Sequence, residues 1–195
     1  LSEKTGGAIF NQIGASLQII NSTLSNNSAS SHGGAVANNG VVEISSSTFS
    51  GNLAGGDGGA IANSGTATIR NSTVAKNIAG RAGGIWTTGT VNVGNTIIAD
   101  NWVPMNDADV TGDFTSQGYN LIGDIGSAAG FAAVGDITGG ATHPVIDPLL
   151  TPLRNNGGTT TTHALLSGSP AVDAGNNIES PATDQRGLQR IVDGN

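Results

Sequence analysis

The chain of 195 residues holds 31 glycines and no cysteine, with 4% aromatic and 11% charged residues and a formal net charge of −7 at pH 7. That length suits one domain, and the missing thiols exclude a disulfide framework and a thiolate metal site. Few aromatic and many small residues argue against a helix-packed core, and a charge of +1 over residues 1–99 and −8 over residues 100–195 argues against a basic face for nucleic acid.

No apolar run approaches the ~20 residues that span a bilayer as a helix. Leu1 falls in register with Ser28, Leu53 and Ile78, so the sequence opens inside a repeating pattern and no signal peptide is expected in it. Four copies of that pattern follow. They open at Gly6-Gly7-Ala8-Ile9, Gly33-Gly34-Ala35-Val36, Gly58-Gly59-Ala60-Ile61 and Gly83-Gly84-Ile85-Trp86. They close on an apolar residue three places before an asparagine: Leu24 and Asn27, Phe49 and Asn52, Val74 and Asn77, Ile98 and Asn101. The openings recur after 27, 25 and 25 residues and the closing asparagines after 25, 25 and 24.

A repeat of this length stacks only if equivalent residues fall in columns. The predicted inward columns are Ile9, Val36, Ile61 and Trp86; Leu17, Val42, Ala67 and Val91; Ile19, Ile44, Ile69 and Val93; and Leu24, Phe49, Val74 and Ile98. The second and third lie two residues apart, the period of a strand with one buried face, and no segment shows helical i, i+3, i+4 spacing. Rungs of about 25 residues with three short strands and three turns predict an all-β right-handed parallel β-helix, its rungs ~4.8 Å apart. The glycine pairs predict one sharp corner. Asn27, Asn52, Asn77 and Asn101 predict a hydrogen-bonded amide ladder at another, and Asn11, Asn38 and Asn63 a second ladder broken at Thr88. Asn-x-Ser/Thr occurs at Asn21, Asn26 and Asn71, where periodicity explains the recurrence without glycosylation.

The Gly-Gly-Ala-Ile openings, with Phe49-Ser50-Gly51-Asn52 as a complete Phe-x-x-Asn closing, resemble the repeats of chlamydial polymorphic membrane proteins and related bacterial autotransporter or adhesin passengers. The other copies substitute Leu24, Val74 and Ile98 for the phenylalanine.

After Asn101 the period fades. Asp107, Asp109 and Asp113 cluster in a loop that admits calcium as a possible ligand, although the spacing is not that of an EF-hand and a solvated acidic loop is the favoured reading. Asp109 to Phe114 and Tyr119 to Ile122 alternate like strands and predict a fifth rung, so the regular rungs are assigned to residues 1–124. Residues 125–195 form a less regular extension or cap, in which residues 125–143 read as an excursion from the stack. The prolines at 148 and 152 exclude a central strand there.

Within that second part, Asn120-Leu121-Ile122-Gly123-Asp124, Asp147-Pro148-Leu149-Leu150, Asn156-Gly157-Gly158, His163-Ala164-Leu165, Ser169-Pro170-Ala171, Asp173-Ala174-Gly175 and Asp184-Gln185-Arg186-Gly187 resemble, in order, the C-terminal region of bacterial choice-of-anchor Q proteins. The resemblance implies an exported or surface-attached β-helix protein of the bacterial cell surface without an assigned activity.

Catalysis on a β-helix needs paired carboxylates, or calcium-binding carboxylates with a base, on adjacent rungs of one face. In the four rungs Glu3, Glu43 and Asp57 are read as lying in different columns, and Arg70, Lys76 and Arg81 as facing no repeated acidic partner. Asp173, Asp184, Arg186 and His163 are the candidates for an active site in the second half, each with a structural reading preferred: a turn for Asp173, an ion pair for Asp184 and Arg186, packing for His163. Trp86 is read as inward, and Trp102 and Tyr119 are weak glycan-contact candidates. The expected function is a non-catalytic extracellular or cell-surface structural or adhesin-like protein that associates with itself end to end into oligomers or filaments, or with surface glycans, without cofactor. The alternative is a carbohydrate-active enzyme or glycan-binding module.

Overall fold

The structure, a computed structural model, describes residues 4–104, 109–177 and 180–190. Among them every regular element is a strand and every pairing between named strands is parallel. The strands stack as a β-solenoid. Its first sheet comprises Ile9–Asn11, Val36–Asn38, Ile61–Asn63, Ile85–Thr87 and Val110–Thr111. The second comprises Ser16–Ile20, Val41–Ser45, Thr66–Arg70, Thr90–Gly94 and Thr115–Ser116. The third comprises Thr23–Ser25, Thr48–Ser50, Thr73–Ala75, Ile97–Ala99, Leu121–Ile122 and Ile137–Thr138.

Registers follow the predicted columns in the second and third sheets. Leu17, Val42, Ala67 and Val91 pair in line, as do Ile19, Ile44, Ile69 and Val93, and Leu24, Phe49, Val74 and Ile98. Alternation then sends these side chains inward, where Val42, Phe49, Ile69, Val74, Val93 and Ile98 are fully buried.

The first sheet overturns one column. Ile61 pairs with Ile85, and Trp86 pairs with Ala62. The cause lies upstream: Gly58 N–H donates to Arg81 O and Gly59 N–H to Ala82 O, so Ala82 stands in the place of Gly58 and Gly83 in that of Gly59. The chain between Asn77 and this corner is one residue shorter than in the rung before. The fourth Gly-Gly pair therefore sits one place late, Trp86 turns outward, and the ladder position belongs to Thr87, not Thr88, because Asn63 donates to Thr87 Oγ1 at 3.1 Å.

The corners explain the turn residues. Asn21, Ser46, Asn71, Asn95 and Tyr119 form one line with φ between 45° and 57°. That left-handed backbone, which asparagine tolerates best among residues with a side chain, accounts for the recurring Asn-x-Ser/Thr pattern. Gly58 (φ +66°) supplies the same conformation at another corner, and Ala82 adopts it at φ 50°. Its neighbour Gly59 answers a different demand: a Cβ there would lie 2.2 Å from Gly83 O and 2.7 Å from Ile78 N and O, so successive rungs approach too closely for any side chain.

Ladder amides link the rungs. Asn27 Nδ2 donates to Asn52 Oδ1 (2.9 Å), Asn52 to Asn77 (2.8 Å) and Asn77 to Asn101 (2.8 Å). In the second line Asn11 donates to Asn38 (2.6 Å) and Asn38 to Asn63 (2.7 Å). Asn38, Asn52, Asn63 and Asn77 have no exposed surface, so each bond also satisfies groups that water does not reach.

Beyond the fifth rung the segment read as an excursion adds a partial sixth. Asp113 bridges Ala129, and Ile137–Thr138 pairs with Leu121–Ile122. Phe131 packs on Phe114 with ring centroids 4.9 Å apart, and with Ile125 and Ala128 it closes this end of the core. The chain then doubles back along the outside of the third sheet. Thr23 Oγ1 donates to Thr161 O (2.6 Å), Thr48 Oγ1 to Gln185 Oε1 (2.7 Å), and Asn176 N–H to Asn95 Oδ1 (2.9 Å). Residues 144–177 and 180–190 thus form a strap from the sixth rung to the first, beneath which the outward-pointing Thr48 and Ser50 are buried.

Candidate functional site

Three places gather polar side chains. The first ends the asparagine ladder. Asp109 is buried, and its Oδ1 accepts from the backbone N–H (3.0 Å) and Nδ2 (2.7 Å) of Asn101, the same pair of bonds that Asn101 itself accepts from Asn77. Its Oδ2 accepts from Asp124 N–H at 2.7 Å. Burial pushes the Asp109 carboxyl up to about 7, against the hydrogen bonds from Asn101 and Asp124 that pull the other way. Asp109 thus stands in for the asparagine of a further rung. Of the other calcium candidates, Asp113 is exposed in its bridge to Ala129, and Asp107 lies outside the described residues. No group of three or more His, Asp or Glu side chains is disposed to hold a metal ion among the described residues.

The second place is a column at the glycine corner. Asp57, its side chain 5% exposed, receives Arg81 Nε at 2.6 Å and Arg81 Nη2 at 2.9 Å, and lies 3.1 Å from His32 Nδ1. His32, Asp57 and Arg81 are thus vertical neighbours, which corrects the reading of Asp57 and Arg81 as unpartnered. Lys76 likewise pairs with Asp100 of the next rung. Trp86 stacks on His32 with centroids 6.2 Å apart, and the Arg81 guanidinium lies 5.8 Å from the indole centroid. The intervals of 25 and 24 residues separating the three members of the column are those of the asparagine ladder, and this was the available signal. Arg81, bidentate on a buried carboxylate, fastens two rungs and braces the tryptophan.

The third place is the junction of strap and third sheet, where the structure brings together His163, Asp184 and Arg186. His163 Nε2 meets Ser50 Oγ at 2.9 Å and its Nδ1 meets Thr151 O at 2.6 Å. Burial lowers the His163 pKa, while the hydrogen bond to Thr151 opposes that shift. With Nδ1–H donating to the carbonyl, Nε2 accepts the Ser50 hydroxyl, as in a serine–base pair. Ser50 is only 4% exposed, so the pair lies beneath the strap and fastens it to the third sheet. Asp184 would be raised by burial, but hydrogen bonds from Arg186 outweigh this and hold it below the usual carboxylate range. Arg186 Nε and Nη2 both bind Asp184 Oδ2, at 2.8 and 2.6 Å. Between them Gln185, which attracted no attention in the sequence, donates to Ser22 O, Thr23 Oγ1 and Thr160 Oγ1. The Asp-Gln-Arg segment is a clamp whose central amide grips the first rung. Asp173 sits apart on an exposed turn with φ 55°. Together with Asp184 and Arg186 it borders an open cleft of about 460 Å³, and His163 borders an adjoining one of about 430 Å³.

Residues 46–64 match the Chlamydia polymorphic membrane protein repeat. In the structure this stretch runs from the third sheet of one rung to the first sheet of the next. It carries Phe49 in the core, Asn52 in the ladder, Gly58 and Gly59 at the corner and Asn63 in the second ladder. Every residue of the pattern serves rung geometry, and the repeat with its solenoid fits a surface structural or adhesin-like protein. No curated protein and no solved structure matches the chain.

Proposed function

We propose that the chain is a surface-displayed adhesive scaffold of a bacterial cell that holds its outer faces out for contact and performs no turnover. The observation that carries this reading is the matched repeat at residues 46–64, whose defining side chains are all consumed in building a rung. The ordered resemblance of residues 120–187 to choice-of-anchor Q proteins supports the same location. The sites with acid–base chemistry point the same way, since Asp57, Asp109 and Asp184 are each engaged by donors from a neighbouring rung or the strap.

Self-association in this reading runs through the first rung. Ile9, Leu17 and Leu24 are only partly buried there, and the strands Ile9–Asn11, Ser16–Ile20 and Thr23–Ser25 are paired on one side within the described residues. The opposite end of the described rungs is covered by Phe131, Ile125 and Ala128, so the reading places a second copy or an added rung on the first rung. The test is to incubate the purified chain with polysaccharides of several classes and measure both retention and product. Retention without new reducing ends or unsaturated products supports a scaffold; sustained product release overturns it in favour of a carbohydrate-active enzyme.

A further inference from the structure

Arg70, at the end of its strand in the second sheet, has no ion-pair partner among the described residues. Its neighbour in register is Gly94, which has no side chain, and the guanidinium reaches past it to Gln117, two rungs on, where Nη2 donates to Oε1 at 2.5 Å. That amide is neutral. The ion pairs among the described residues join Asp57, Asp100 and Asp184 to other cations, and none involves Arg70. Arg70 Nε is buried and has no acceptor. Arg70 is half-buried, so water reaches part of the guanidinium but not Nε, and a charged donor left unmet there costs more than a neutral one.

The surroundings form a small cavity of about 150 Å³, walled by Arg70, Asn71, Asn95, Gln117, Tyr119 and Ser180. Among the described residues the walls carry one positive charge and no carboxylate, in a chain whose net charge is −7. They offer amides and hydroxyls and no apolar pocket for a peptide side chain. Through Asn95 and Tyr119 the cavity adjoins the 460 Å³ cleft beneath the strap, a volume within the range of small-ligand sites.

We infer that this cavity binds the carboxylate of an acidic saccharide, with Arg70 on the carboxylate, Asn71, Gln117 and Tyr119 around the ring hydroxyls, and adjoining sugar units in the cleft. The planar fork of arginine matches a planar carboxylate, and small amides suit a polyol better than a polypeptide. The inference rests on the adhesive reading and deepens it by naming the ligand class.

Calorimetric titration of the purified chain tests it with four probes: a uronate trisaccharide, a neutral trisaccharide, triglutamate and sulfate. The uronate is expected to bind at least tenfold more tightly than the other three. Arg70→Ala is expected to lower that affinity at least tenfold. Gln117→Glu supplies an internal carboxylate to the guanidinium, so it should abolish binding while raising the melting temperature, which guards against loss of fold as the explanation. Glu179, which adjoins Ser180 in sequence and lies outside the described residues, provides a control, since Glu179→Gln should bind the uronate at least as well as the parent. Equal binding of neutral and uronate sugars, or unchanged binding by Arg70→Ala, overturns the site. Equal or tighter binding of triglutamate or sulfate overturns the saccharide assignment. Because the titration is done in solution, these outcomes are separate from whether the protein is displayed on cells.

Discussion

Replacing Asn77 by alanine strips the middle of the ladder. The Asn77 side chain accepts from Asn52 N–H (3.0 Å) and Asn52 Nδ2 (2.8 Å), and donates to Phe49 O (3.0 Å), Ala75 O (3.0 Å) and Asn101 Oδ1 (2.8 Å). After the change Asn52 Nδ2 keeps Leu24 O, and Asn101 Oδ1 keeps the backbone N–H of residue 77. The backbone N–H of Asn52 is left buried without this acceptor, which costs ~1–3 kcal/mol, and the remaining losses add about 1 kcal/mol each where no water replaces them. The expected destabilisation is therefore about 3–5 kcal/mol. At the first rung Asn27 is only half-buried and its side chain makes one ladder bond, so Asn27→Ala should cost about 1 kcal/mol. For a chain of this size these translate into losses of roughly 10 °C and 3 °C in melting temperature. Urea unfolding followed by far-ultraviolet circular dichroism separates the two. Asn77→Asp, which keeps the acceptor and loses the donors, should fall between them. Equal costs at positions 27 and 77, or an Asn77→Asp variant as stable as the parent, would refute the cooperative ladder.

Three further outcomes are expected. The Asp109 carboxyl, raised in the folded state to about 7 from 3.8, makes the folded protein bind a proton more tightly than the unfolded chain, so its contribution favours folding below pH 3.8 and is lost as pH rises through 7. Stability derived from unfolding at each pH should fall between about pH 4 and 7 by roughly 3–4 kcal/mol, and Asp109→Asn should flatten that fall. Gly59→Ala drives a methyl into the backbone of the next rung at Ile78 and Gly83 and should cost about 3 kcal/mol, whereas Gly157→Ala, with open space around it and φ +94°, should cost about 1 kcal/mol in thermal unfolding. Gln185→Ala removes the clamp on Ser22, Thr23 and Thr160, and limited proteolysis should then cut within residues 144–190 while the rungs stay intact.

The parts of the fold legible in the sequence were those that stacking forces to repeat. Phe49 must sit over Val74, and Asn52 must bond Asn77, so identity at a fixed interval reveals both. The same logic fails where letters repeat without the geometry: Gly83-Gly84 looks like Gly58-Gly59, yet the 24-residue step from Asn77 to Asn101 is the truer guide and places Ile85 inward. The His32, Asp57 and Arg81 column kept the interval but changed residue type, so a search for like residues passed over it. The strap was illegible for a different reason. Gln185 meets Ser22 and His163 meets Ser50 across more than 110 residues, and no local period encodes such pairs. In sequence Asp109 reads as part of a solvated acidic loop, with calcium as the weaker alternative, because carboxylates cluster around it; its burial and its partners, Asn101 and the Asp124 amide, become visible only when the rungs are closed.

The most direct measurement for a surface scaffold is antibody labelling of intact, unpermeabilised source cells, using antibodies raised against the second-sheet face around the exposed Gln18 and Glu43. Labelling of intact cells that is removed by brief external protease is the predicted result. Labelling that appears only after permeabilisation would contradict it.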